Sequence, residues 1–143
     1  MPPDLFASYF KFAFVRNLWE RLVSEYEFLL RTPTHGRHTR VSRMKHFREI
    51  IEMQIPRPDA YQINMLARLN GEFVADFVGK FEQLDQGWKV VCENIGIPHQ
   101  PLPHRRKSGR GTDFRDRYTP ADVDLVAKHW QREIKQFGYC IED

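Results

Sequence analysis

Between Phe10 and Tyr26 the residue pattern changes its period within two positions, and that change restricts the folds open to the chain. Phe10, Phe12 and Phe14 alternate with Lys11, Ala13 and Val15. Aromatic and branched residues in such a run suit a short strand covered on at least one face. Asn17 can then offer its side-chain oxygen to the first free N–H groups of a helix. Glu20, three positions on, makes Asn-x-x-Glu a variant of the capping box. Leu18, Leu22, Tyr26, Leu29 and Leu30 recur at helical spacing and predict one apolar face. A strand that runs directly into a capped helix is half of a βαβ unit, and ligands in such folds bind at the carboxyl ends of the strands.

Arg16 stands at that strand end, and Ser24 stands about two turns along the helix, on roughly the face of Asn17 and Arg21. A helix N-terminus presents free donors and the positive end of a dipole. The planar fork of arginine can bond two phosphate oxygens at once. The arrangement is therefore a place to hold a phosphate. The plainer alternative is a solvated arginine and a tolerated mid-helix serine.

The remaining elements follow from punctuation and periodicity. Thr32-Pro33 and Gly36 predict a loop, and Met44 to Met53 a helix with Phe47, Ile50 and Ile51 on its apolar face, ended by Pro56 and Pro58. Residues 61–69 and 72–79 are expected to be strands joined as a hairpin through Asn70-Gly71. Leu84 to Ile95 is a predicted helix burying Leu84, Trp88, Val91, Cys92 and Ile95, with Gly96 and Pro98 as its stop. Residues 97–117 form a long Pro-, Gly- and Arg-rich loop. Thr119 then caps a last helix, with Pro120 at its first position, that runs to about Phe137 and buries Val123, Val126, Trp130, Ile134 and Phe137.

Composition excludes several functions. With 143 residues, 41% apolar and 29% charged, the chain can bury a core as a single domain over residues 1–143. A net charge of +3 gives no bulk argument for nucleic acid, and no known nucleic-acid-binding motif is present. Cys92 and Cys140 fit neither a metal spacing nor a disulfide framework. His35-x-x-His38 offers two ligands where a metal needs three or four, so no metal is expected. The sequence holds no run long enough to span a bilayer and no signal segment, which predicts a cytoplasmic protein. The basic stretch of residues 31–48 contains no acid. It is either a solvated loop or a surface for an anionic acceptor such as a sulfated or uronic glycan.

Phe14-Val-Arg-Asn-x-x-x-Arg-Leu-Val-Ser-x-Tyr26 resembles the 3′-phosphate-binding segment of sulfotransferases, of the carbohydrate-type and related bacterial kind. The family's proline after the asparagine is Leu18 here. The likeness continues through Asn70-Gly-Glu-Phe-Val-Ala-Asp-Phe-Val-Gly-Lys-Phe-Glu-Gln-Leu84, Gly96-Ile-Pro, Leu102-Pro-His-Arg-Arg-Lys-Ser108, Tyr118-Thr-Pro and Phe137-Gly-Tyr139, covering roughly residues 5 to 139.

The resemblance implies an α/β fold with a small, mostly parallel sheet flanked by helices, an incomplete P-loop-like sulfotransferase fold. It implies 3′-phosphoadenosine-5′-phosphosulfate (PAPS) as sulfate donor and a carbohydrate or other hydroxyl as acceptor. Arg16 and Ser24 inherit the 3′-phosphate. In the basic loop His104 to Thr112, Arg105, Lys107, Ser108 and Arg110 become phosphate contacts by resemblance. The family's Pro-Lys-x-Gly-Thr-Thr-like 5′-phosphosulfate loop has no counterpart, and neither does its usual catalytic base. Asp76, Glu82 and the histidines are available as bases with nothing to choose between them. The chain then corresponds to the C-terminal half to two-thirds of an enzyme, truncated at its N-terminus relative to the family. The strand at 10–15 would present an open edge, to be covered by a homodimer or by a missing N-terminal segment. The alternative is a catalytically inactive relic serving as a nucleotide- or anion-binding or interaction module.

Overall fold

A computed structural model describes residues 3–68, 71–103 and 113–143. In chain order the elements are α1 (Pro3–Ser8), β1 (Phe12–Val15), α2 (Leu18–Arg31), α3 (His38–Val41), α4 (Arg48–Gln54), α5 (Gln62–Leu66), β2 (Phe77–Lys80), α6 (Leu84–Ile95), α7 (Pro120–His129) and α8 (Gln131–Phe137). Short 3-10 turns occupy Pro58–Ala60, Phe81–Gln83 and Phe114–Arg117. The fold is α/β, as expected. β1 and β2 pair in parallel, with Phe12 opposite Phe77 and Val15 opposite Lys80.

The alternation of β1 sorts its side chains between two layers. Phe12 lies 6.4 Å from Trp88 of α6, and Phe14 packs edge-on to Phe77 at 6.4 Å between ring centroids. Room for Phe14 comes from two glycines. A Cβ on Gly79 would meet the Phe14 ring at 2.5 Å, and one on Gly87 at 2.6 Å. On the opposite face Val15 joins the main core with Leu18, Trp19, Leu22 and Leu29 of α2, Ile50 and Ile51 of α4, and Val126 and Trp130. Cover on the outer face is partial, since Phe12 remains exposed.

α2 runs through the middle of this core. Trp19 and Val23 are buried along with the predicted Leu18, Leu22 and Leu29, whereas Leu30 is exposed. Aromatic contacts tie it to its neighbours: Tyr26 meets Phe47 edge-on at 5.5 Å, and Phe47 meets Tyr118 at 5.0 Å. The Tyr118 hydroxyl donates to the Trp19 carbonyl at 2.8 Å, and burial pushes that phenol's pKa up.

Among the described residues the predicted hairpin is reduced to a single antiparallel bridge. Leu69 and Asn70 lie outside the described residues; over 61–68 the inward residues are Gln62, Ile63 and Leu66, while Asn64 and Met65 face out. That is helical spacing, not alternation, and Gln62–Leu66 is helix α5. Only the reversal survives: Gly71 takes φ +84°, Arg68 N–H donates to the Glu72 carbonyl at 2.8 Å, and Ala67 bridges Phe73. The expected strand 72–79 shortens to β2, which pairs with β1 in parallel instead of folding back on its predecessor.

Four further differences from expectation concern helices. The loop after α2 contains α3, and the helix expected from Met44 begins at Arg48. α6 keeps its predicted bounds, but Ile95 is exposed and Gly87 is buried against Phe14. The last helix is interrupted at Trp130, which takes φ −100° and ψ 22°. Its indole stacks on Tyr61 at 5.0 Å and donates to the Ala60 carbonyl at 3.3 Å. The start of α7 matches the sequence reading: Thr119 and Asp122 form a reciprocal capping box, followed by Pro120. Among the described residues no helix is long and apolar enough to cross a membrane.

Candidate anion site at the β1–α2 junction

Arg16 and Ser24 come together. Arg16 Nη1 donates to Ser24 Oγ at 3.2 Å, across two turns of α2. Glu20 grips the same guanidinium side-on, accepting from Nε at 3.1 Å and Nη2 at 2.7 Å. An arginine has five N–H donors. Three are thus engaged, and two have no partner among the described residues. The guanidinium also lies 4.9 Å over the Phe81 ring, which leaves it one open edge beside a serine hydroxyl.

The helix amides contribute less than expected. The N–H groups of Trp19 and Glu20 already donate to Asn17 Oδ1, at 3.0 and 3.3 Å. The cap is therefore satisfied from within, and these two N–H groups are already engaged. Glu20 is turned toward Arg16, and the reciprocal half of the capping box is supplied from far along the chain. Glu82 Oε1 accepts the Asn17 backbone N–H at 2.7 Å.

The C-terminal segment locks this junction. α8 ends at Gly138 with φ +62°, in the left-handed region that glycine tolerates without strain. The next residue, Tyr139, is buried with its hydroxyl 3.0 Å from the Val15 carbonyl and 2.9 Å from Glu82 Oε2. Burial, and then the Glu82 carboxylate, push its pKa up, so it remains a neutral donor. Asn17 Nδ2 donates to the Cys140 carbonyl at 2.8 Å. Lys80 adds a cation over the Tyr139 ring at 4.5 Å. Arg115 holds the tail itself, donating to the carbonyls of Ile141, Glu142 and Asp143.

On the other side of Arg16, the Gln62 amide bonds the backbone twice. Arg16 N–H donates to Gln62 Oε1 at 2.9 Å, and Gln62 Nε2 donates to the Arg16 carbonyl at 2.9 Å. Gln62, Glu82 and Tyr139 were not legible as parts of this junction, because their partners lie 46, 65 and 124 positions away. The one visible signal was local: Glu20 follows Arg16 by four residues, the spacing of a helical ion pair.

Arg105, Lys107, Ser108 and Arg110 lie outside the described residues. Among the candidate bases, Asp76 pairs with Lys11 at 2.8 Å, and Glu82 is occupied as above. In the basic stretch, Arg37 pairs with Glu25 at 2.8 Å and Arg48 with Glu52 at 2.9 Å. His35 Nδ1 accepts the Arg37 N–H, and His38 Nδ1 lies 2.8 Å from the Leu29 carbonyl. Among the described residues no cluster of three His, Cys, Asp or Glu side chains could hold a metal ion.

A parallel pair of strands, the first turning into a capped helix with an arginine–serine pair at the turn, defines an α/β protein. The sequence model of the sulfotransferase family matches residues 2–140, and the chain belongs to that family. No curated protein and no solved structure matches the chain significantly.

Proposed function

We propose that the protein binds the 3′-phosphate of 3′-phosphoadenosine-5′-phosphosulfate through Arg16 and Ser24 and transfers sulfate to a hydroxyl of a carbohydrate. Family membership supports sulfate transfer in general. The observation that carries the site is the 3.2 Å contact between Arg16 Nη1 and Ser24 Oγ. It joins a guanidinium with two open donors to a hydroxyl that can turn its proton toward an anion. When bound, the nucleotide supplies an activated sulfuryl group. The residues at this junction orient its far end, and such orientation is worth several kcal/mol in a group transfer.

The residues fit the 3′-phosphate in geometry and only partly in charge. Glu20 neutralises one edge of Arg16, so the remaining edge acts as a directional bidentate donor more than as a net positive charge. Arg105, Lys107, Ser108 and Arg110 are proposed as further phosphate contacts. A second reading, an anion-binding module without catalysis, is favoured by Glu82. Its two oxygens are engaged by Asn17 and Tyr139, which makes it a structural group and not a free base.

Incubation of the full chain with radiolabelled sulfuryl donor and a panel of desulfated polysaccharides separates the two. Label in a polysaccharide, lost in Arg16→Ala, is the expected result. Nucleotide binding without any transfer would overturn the catalytic reading and leave the module.

A further inference from the structure

The Arg16 backbone is held by an unusual partner. β2 occupies one edge of β1, and on the other edge the side-chain amide of Gln62 presents an oxygen to Arg16 N–H and an NH2 to Arg16 C=O, both at 2.9 Å. Two such bonds to one residue are what a neighbouring strand would make. A side-chain amide can turn over and exchange its oxygen and nitrogen. Here Glu133 opposes that. Its Oε2 lies 3.4 Å from Gln62 Nε2, and its Oε1 accepts the Ile63 N–H at 3.1 Å. The NH2 group of Gln62 faces this carboxyl, and its oxygen faces Arg16 N–H. Glu133 is fully buried and Gln62 is 6% exposed. Buried polar groups of this kind add little stability over apolar residues of the same volume, and their effect is directional.

We propose that Gln62, oriented by Glu133, is a positioning residue for the anion site: its amide fixes the Arg16 backbone so that the guanidinium reaches Ser24. The inference rests on the reading of Arg16 as a phosphate ligand. Gln62 itself faces the backbone of Arg16 and touches no ligand. The chemistry it serves is recognition of a nucleoside 3′-phosphate.

Two variants of the full chain test it. Gln62→Met preserves volume and removes both bonds, and Glu133→Gln preserves shape and puts an NH2 group against the Gln62 amide. The first readout is hydrogen exchange at the Arg16 backbone amide, measured by NMR. Gln62→Met should speed it about tenfold, the equivalent of one net hydrogen bond, while the Val23 amide within α2 stays protected. Unchanged protection at Arg16 would overturn the clamp.

The second readout is calorimetric affinity for adenosine 3′,5′-bisphosphate against adenosine 5′-phosphate. Both variants should weaken the bisphosphate, Gln62→Met by about tenfold, and spare the monophosphate. An equal loss for both ligands would mean general loosening and would overturn the positioning role. Failure of the unsubstituted chain to bind the bisphosphate would overturn the Arg16 site instead, and the exchange readout would still decide the clamp.

Discussion

Asn17 carries two tasks with one side chain. Its oxygen caps α2 through Trp19 and Glu20, and its nitrogen ties the Cys140 carbonyl to the junction. Loss of a cap costs about 1 kcal/mol, and loss of a partly buried hydrogen bond about as much again. Asn17→Ala is therefore expected to lower stability by about 2 kcal/mol in chemical denaturation. A change below about 0.5 kcal/mol would show that neither bond matters.

The capping oxygen of Asn17 was legible in the sequence, because residue type and position sufficed. The Glu20 half was misread. A carboxylate three residues after a cap and four after an arginine has two local partners, and the guanidinium, charged and bidentate, is the stronger. Nothing local marked Glu82 as the replacement.

Glu133 gives the pH dependence of the same region. Burial raises its pKa above the ordinary 4.5, opposed by the Ile63 N–H, the Arg21 charge and the Gln62 amide. The folded chain thus holds this proton more tightly than the unfolded chain. The stability it contributes is complete below pH 4.5 and is lost as pH rises through the higher folded value. The stability of the unsubstituted chain relative to Glu133→Gln should fall as pH is raised from acid to neutral. A pH-independent difference would contradict the assignment.

At the scale of elements, β1 and α6 interlock through Phe14. A glycine inside a helix costs about 1 kcal/mol relative to alanine, so Gly87→Ala would stabilise an open helix. Here the new Cβ would stand 2.6 Å from the Phe14 ring. Overpacking of this kind costs about 1–3 kcal/mol, so the net change should be destabilising. Phe14→Leu in the same chain should relieve part of it, because contacting sites are not additive. A more stable Gly87→Ala chain would show that Phe14 yields freely.

The elements were legible where a period ran long enough. α2 and α6 show their faces over three or more turns, and α7 carries its capping box in plain sight. Residues 62–66 are too short to display a period. There, Asn70-Gly71 outweighed the spacing of Gln62, Ile63 and Leu66, and the tertiary bonds of Gln62 decide the outcome. The break at Trp130 had no sequence signal either, since its cause is the stack on Tyr61, far away in the chain.

For the molecule as a whole, each of the two strands keeps one edge without a strand partner among the described residues. Among the described residues β1 pairs only with β2, and Gln62 closes its second edge at Arg16. The open stretch is short and bordered by the exposed Phe12 and Tyr9. Open apolar strand edges invite pairing, and we expect the chain to form dimers. Sedimentation over a wide concentration range should reveal them, and a monomer throughout would contradict the expectation. The family and the α/β class could be read from the order of motifs, which spans nearly the whole chain. The way the C-terminal tail braces the β1–α2 junction could not, because Tyr139 and Cys140 meet partners from the other end of the sequence.

Arg16 and Ser24 are proposed to form a site for a nucleoside 3′-phosphate. Calorimetric titration of the full chain with adenosine 3′,5′-bisphosphate tests it most directly, with adenosine 5′-phosphate and Arg16→Ala as controls. Micromolar binding is expected, weakened at least about tenfold by removing either the 3′-phosphate or the Arg16 side chain, as charge-assisted bonds require. Absence of binding, or binding indifferent to both changes, would contradict it.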